Sequence, residues 1–170
     1  SILFASTGTS IESDATRSVS NTVSLTGNVN FGGSNQLTLS GLVTGTGQVS
    51  KNGSGTLILG GSNAFQGGVN LNGGKLVVGQ SLSLGSGTLT TAALTTLDAN
   101  SALTLGNAIT MNGDLTIGGS ANLGLGGVIG GAGGLIKTGS ANLSLNRANN
   151  FQGNTQLKAC LLYTSPSPRD

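Results

Sequence analysis

The sequence predicts an all-β chain: a right-handed parallel β-helix, or β-solenoid, with about three short strands per coil. Three observations point there. Apolar-polar-apolar triplets recur every six to eight residues, glycine, asparagine and serine separate them, and a long segment of the chain repeats itself.

The triplets are Val23-Ser24-Leu25, Val29-Asn30-Phe31, Leu37-Thr38-Leu39, Leu57-Ile58-Leu59, Leu82-Ser83-Leu84, Leu103-Thr104-Leu105, Leu115-Thr116-Ile117 and Leu143-Ser144-Leu145. Alternation at period two turns the apolar side chains to one face and the small polar ones to the other, which is the pattern of a strand. The separating residues supply the backbone conformations that sharp corners need, and 31 of the 170 residues are glycine. Strands this short bury too little as hairpins, and Asn-Gly or Asp-Gly turns between longer strands are lacking. Stacking solves the problem. A coil of about 21 residues lying roughly 4.8 Å above the last places each inward Leu, Val or Ile on its counterpart, and about seven coils make a rod on the order of 35 Å long.

An offset of 86 residues aligns Val19 to Leu71 with Leu105 to Leu157 without a gap, and 20 of the 53 pairs are identical. On a 21-residue coil this offset is about four coils. Lys51 and Lys137 then occupy equivalent positions, read as solvated corner residues. Phe65 and Phe151 read as anchors that pack a corner.

Composition excludes several classes. Only 7% of the residues are charged and the net charge is +2, so the apparent basicity comes from isolated Lys and Arg rather than a patch, and no aromatic residues interleave with them to stack on bases. Nucleic acid is therefore not an expected partner. Collagen needs glycine at every third position and abundant proline, but the chain has two prolines. Disorder is inconsistent with 36% hydrophobic residues. No apolar run is long enough for a membrane-spanning helix. The low charge itself fits a parallel stack, where like charges would sit above one another while Ser, Thr and Asn form hydrogen-bonded ladders.

The single Cys160, the single Tyr163 and both prolines, Pro166 and Pro168, fall in the last eleven residues. This stretch resembles the conceptual translation of a sequencing-library adaptor. The chain divides accordingly into an irregular or partial first coil (1–18), a β-helix (19–159) and a tail (160–170) foreign to it. Because it starts at Ser1 with neither an initiator Met nor a signal peptide, it reads as an internal piece of something longer.

From Gly45 the sequence runs Gly45-Thr46-Gly47-Gln48-Val49-Ser50-Lys51-Asn52-Gly53-Ser54-Gly55-Thr56-Leu57-Ile58-Leu59, followed by Gly61, Asn63, Phe65 and Gly67 and then Gly74-Lys75-Leu76. This resembles the passenger-associated transport repeat of bacterial autotransporters. A second copy keeps Gly133, Leu135, Lys137, Gly139, Leu143, Leu145, Asn149, Phe151 and Gly153, departs with Ala141 and Arg147 where glycine is usual, and breaks at Cys160. The resemblance implies a passenger carried to the surface of a Gram-negative bacterium through a C-terminal outer-membrane β-barrel of the same protein. There it would serve as a stalk aiding secretion, folding and display. Other roles on such a fold are an adhesin surface for host cells or polysaccharide, and a polysaccharide lyase.

Catalysis is not expected. There is no His, the one Cys lies in the tail, and the only acids before it are Glu12, Asp14, Asp98 and Asp114, so zinc sites and Ser-His or Cys-His nucleophiles lack their parts. Glu12 and Asp14 would face one side of a strand as a carboxylate pair, or lie solvated in an irregular segment. Asp98 and Asp114 read as corner residues. No phosphate-binding glycine motif or calcium nonapeptide completes itself, so neither cofactor nor metal is expected.

Overall fold

The computed structural model describes residues 2–158 and the backbone of 162–164. Every strand pair in it is parallel, and no helix occurs among the described residues. The chain is a β-solenoid of about eight coils, since its longest row holds eight stacked strands.

Each coil has three sides. The second side carries Thr9–Ile11, Val29–Phe31, Val49–Lys51, Val69–Leu71, Leu89–Thr91, Ile109–Met111 and Ile129–Gly130. On the third side stand Arg17–Val19, Leu37–Leu39, Thr56–Leu59, Lys75–Val78, Thr95–Ala99, Leu115–Ile117, Leu135–Lys137 and Thr155–Leu157. The first side begins with Ile2–Ala5, Thr22–Leu25, Val43–Gly45 and Ala64–Phe65, and continues after one interruption with Leu103–Leu105, Leu123–Leu125, Leu143–Leu145 and Leu162–Thr164. Residues 2–19 thus supply three strands stacked on the coil above them.

The interruption falls on a triplet. Leu82-Ser83-Leu84 is a turn, not the strand expected from its alternation. Ser83 turns inward, and its hydroxyl accepts from the backbone N–H groups of Gly79 (3.2 Å) and Gln80 (2.9 Å) while donating to the Gly61 carbonyl (3.2 Å). A hydroxyl that satisfies nearby backbone donors offers the chain an alternative to the ladder. Leu84 still enters the core, whereas Leu82 is exposed.

The pitch is shorter than 21 residues. Val29, Val49, Val69, Leu89, Ile109 and Ile129 stack one on the next at steps of 20. On the third side one step of 19, Leu57 to Leu76, is offset by one of 21, Leu76 to Leu97. Four coils of 20 therefore leave six of the 86 residues over, and six residues carry the chain about one side around the coil. The two copies are not four coils apart on one side: every strand of the second copy lies one side further on. Val49–Lys51 is on the second side and Leu135–Lys137 on the third.

The core is a narrow column of stacked Leu, Val and Ile that runs from Ala5 to Leu145. Burying a Leu or Val of this kind contributes about 1.5–3 kcal/mol.

Candidate functional site

The repeat's own residues make the most distinctive arrangement in the column. In Val49–Lys51 the alternation that points Val49 inward also points Lys51 inward, and its side chain is 2% exposed. Lys51 has Phe31 beneath it and Leu71 above as register partners. Its aliphatic stem takes a place in the apolar column, while its ammonium reaches the corner and donates to the carbonyls of Gly53 and Gly73, the latter at 3.3 Å. Lys137 does the same between Ile117 and Leu157, donating to the carbonyls of Thr138 and Gly139, the latter at 3.2 Å, and is 1% exposed.

The reading of both lysines as solvated corner residues is thus corrected: their charge is inside. An ammonium has three donors and no acceptor, and its burial is tolerated only where acceptors surround it. The turned-in carbonyls of the glycine corner are those acceptors. Desolvation pushes the Lys51 pKa below its ordinary value.

Asn63 ties three coils together. Its carbonyl oxygen accepts from the N–H of Val43 in the coil below (2.8 Å), and its amide nitrogen donates to the carbonyl of Ser83 in the coil above (2.7 Å). Asn149 repeats the first of these bonds, accepting from Ile129 N–H at 2.8 Å. Phe65 is fully buried, and Phe151 is half-buried against the core. Leu57, Leu59, Leu143 and Leu145 are all inward members of the column.

Gly45 and Gly131 are equivalent and have the same left-handed φ of 108°. A Cβ on Gly45 would lie 2.1 Å from the Leu25 carbonyl oxygen, and one on Gly131 2.2 Å from that of Met111. Gly47, Gly53, Gly55, Gly67, Gly133, Gly139 and Gly153 lie so close to the coil beneath that a Cβ would fall within 2.6 Å of its backbone. The corners are therefore places where one backbone rests directly on another.

Residues 49–78 and 135–159 match the family model of the passenger-associated-transport-repeat. The chain carries this repeat twice. The repeat together with the solenoid fits a fragment of an autotransporter passenger. No curated protein and no solved structure matches the chain. In both copies carried by this chain the Lys-x-Gly element is a corner whose carbonyls are held by an inward lysine, and the Asn-x-Phe-Gln-Gly element begins at the next corner, where the Asn side chain bonds the coil below and the Phe packs against the core.

Outside the repeat motif, Asp98 departs from its corner reading. It lies in Thr95–Ala99 and is 3% exposed although it alternates with the inward Leu97 and Ala99. Lys75 pairs with it at 2.7 Å, and it accepts from the Ser120 hydroxyl (2.6 Å), Ser120 N–H (3.2 Å) and Ala99 N–H (2.9 Å). Burial raises its carboxyl pKa, but these donors outweigh burial and hold it below the usual value. Sequence reasoning had no signal for this cluster, whose partners are 23 and 22 residues away.

Asp114 does sit at a corner, accepting from Gly134 N–H at 2.7 Å. Glu12 and Asp14 follow the strand Thr9–Ile11 rather than sharing one, and both are exposed. Asp14 pairs with Arg17 at 3.0 Å, which lowers its pKa. No cluster of three or more metal-ligating side chains occurs among the described residues. On the first side, Thr104, Asn122, Gly124, Asn142 and Ser144 line a shallow, uncharged trough of about 480 Å³. Cys160, Pro166 and Pro168 lie outside the described residues.

Proposed function

We propose that the chain is a structural stalk segment of a secreted passenger, supporting secretion, folding and surface display, and that it performs no chemistry. The observation that carries this reading is the stacking itself: each coil pairs strand for strand with the coil below and contributes to one continuous column, and in the two transport repeats glycine corners bring the backbones into direct contact. In such quasi-one-dimensional folds each unit contacts only its neighbours, so folding propagates coil by coil. A chain that emerges gradually from a membrane pore could fold in that way as it appears. Its poverty of charge suits the passage.

The family implies a C-terminal translocator barrel in the full-length protein and a location at or beyond the surface of a Gram-negative cell. The test is a fusion of this chain between a signal peptide and an outer-membrane barrel, with display read by protease accessibility on intact cells. The stalk reading expects efficient display, and its loss with retention in the periplasm for Gly45→Val. Equal display of the chain, of Gly45→Val and of an unstructured Gly/Ser chain of the same length would contradict it.

The trough favours a second reading, an adhesin surface. Hydroxyls and amides without charge suit a neutral polysaccharide, and a glycan array with Asn122→Ala and Asn142→Ala as controls tests it. A lyase reading has less support, because Asp98, the one buried acid among the described residues, is already held by Lys75, Ser120 and Ala99.

A further inference from the structure

We propose that residues 79–101 form a joint at which the column parts into two blocks, each carrying one transport repeat, and that the Asp98 side chain is the latch that keeps the joint closed. The first repeat ends at residue 78 and the second begins at residue 135. The coil just above the first repeat gathers three irregularities found nowhere else among the described residues.

The first is a gap in the ladder. On the second and third sides the strands pair without a break through this coil, but the first side consists of two separate four-stranded sheets, one reaching Ala64–Phe65 and the other starting again at Leu103–Leu105. The Leu82-Ser83-Leu84 turn between them is still tied downward by backbone: the N–H of Asn63 donates to the Leu82 carbonyl and that of Ser86 to the Phe65 carbonyl, each at 3.1 Å. Upward, no backbone bond among the described residues joins 80–87 to 101–107. Side chains stand in for it, as the Asn107 amide donates to the carbonyls of Gly85 (3.0 Å) and Gly87 (2.7 Å) and the Ser101 hydroxyl to that of Gly79 (2.9 Å). Gly106 marks the looseness, since a Cβ there would meet no atom within 4 Å.

The other two irregularities favour opening. Leu94 has a φ of 60° and is the one left-handed residue that is not glycine, a conformation that costs any side chain with a Cβ. At 94% exposure it gains no burial in return. Thr91 points inward between Leu71 and Met111, and its hydroxyl is a buried polar group with no partner. Opening the coil hydrates that hydroxyl and relaxes Leu94, so both costs disappear in the open form. In a stack of coils stability is a sum over units and the interfaces between neighbours, and the weakest coil decides where the column opens.

Asp98 works against this. Its carboxylate accepts from Lys75 in the block below (2.7 Å) and from the hydroxyl (2.6 Å) and N–H (3.2 Å) of Ser120 in the block above. One buried charge thus bonds both blocks through charge-assisted hydrogen bonds. A stalk with such a joint yields at one place while both repeats stay folded.

The test is amide hydrogen exchange of the full chain, followed by mass spectrometry under conditions where the rate reports the opening equilibrium. Amides of Leu89–Thr91 and Thr95–Ala99 are expected to exchange faster than those of Val49–Lys51 and Thr56–Leu59 below or Leu115–Ile117 and Leu123–Leu125 above. Thr91→Val combined with Leu94→Gly removes both costs and slows exchange in the joint by about tenfold. Asp98→Asn, which keeps the size of the side chain, speeds it by about tenfold. Lys51→Ala lowers protection in the lower block and leaves that of the joint unchanged, because the block stays folded when the joint opens. Equal protection from Val49 to Leu125, with Lys51→Ala lowering all of it together, would show a single cooperative column and overturn the proposal. Joint exchange unmoved by the paired Thr91 and Leu94 substitutions would overturn it too, and joint exchange unmoved by Asp98→Asn would overturn the latch.

Discussion

The two transport repeats, residues 49–78 and 135–159, present the same side chains on different sides of the column and at different depths. Lys51 sits between Phe31 and Leu71 in the middle of the stack, with Phe65 sealed and Asn63 bonded both below and above. Lys137 sits one coil from the top, beneath the half-exposed Leu157, and Phe151 is only half-buried. What stays constant is local: an inward lysine, the carbonyls it holds, and a glycine resting on the coil beneath. The difference teaches that the motif encodes a corner rather than a side, and that what a corner contributes depends on whether a further coil covers it.

Glycine substitutions give the largest expected effect and the most equal one. Gly45→Val and Gly131→Val each force a side chain into a left-handed conformation and against a carbonyl oxygen of the coil below. Each should cost about 3 kcal/mol or more, read as a lowered urea midpoint. A large inequality between them would show that the copies are not built alike.

The aromatic anchors should separate the copies. Phe65→Ala is expected to cost about 3–5 kcal/mol. Phe151→Ala, at a side chain only half-buried against the core, should cost less than half of that. Equal costs would mean that Phe151 is covered as well as Phe65.

The lysines come next. Lys51→Ala opens a cavity and strands two carbonyls, for about 2–4 kcal/mol. Lys137→Ala should cost less, again because of its place near the top. Lys51→Met refills the column and should recover most of the loss. If Met proves as damaging as Ala, the ammonium matters more than the stem.

Much of this was legible in the sequence. Alternation identified the strands, and the impossibility of burying such short segments singly required a stack. The 86-residue offset revealed the repeat but not its rotation, because an offset counts residues and says nothing of sides until the pitch is known. The buried lysines were misread because a charge suggests the surface. Parity held the signal: in Val49-Ser50-Lys51, Lys51 shares the orientation of Val49. The turn at Leu82-Ser83-Leu84 was not legible, since it depends on a hydroxyl reaching Gly61 in the coil below. The Asp98 cluster is likewise a product of stacking.

The smallest effects are those of pH, and they have opposite causes. Lys51 has a lowered folded pKa, so between that value and 10.5 the unfolded chain binds more protons and stability rises with pH. Lys51→Met should abolish that rise in alkaline urea titrations. Asp98 also has a lowered pKa, but as an acid it contributes stability that is complete above 3.8 and is lost as pH falls through its folded value. Asp98→Asn should flatten the acid limb. An acid limb unchanged by Asp98→Asn would place the relevant carboxylate elsewhere.

The claim beneath all of this is that residue n lies one strand spacing below residue n + 20. Spin labels on cysteines at outward positions of the second side, with Cys160 replaced by Ser, measure that directly by double electron-electron resonance. For the pairs Ser10 with Asn70, Thr90 and Thr110, the column predicts distances that grow evenly, at about 14, 19 and 24 Å. Distances that fail to grow with each added 20 residues, or that fold back as in a hairpin or sandwich, would contradict it.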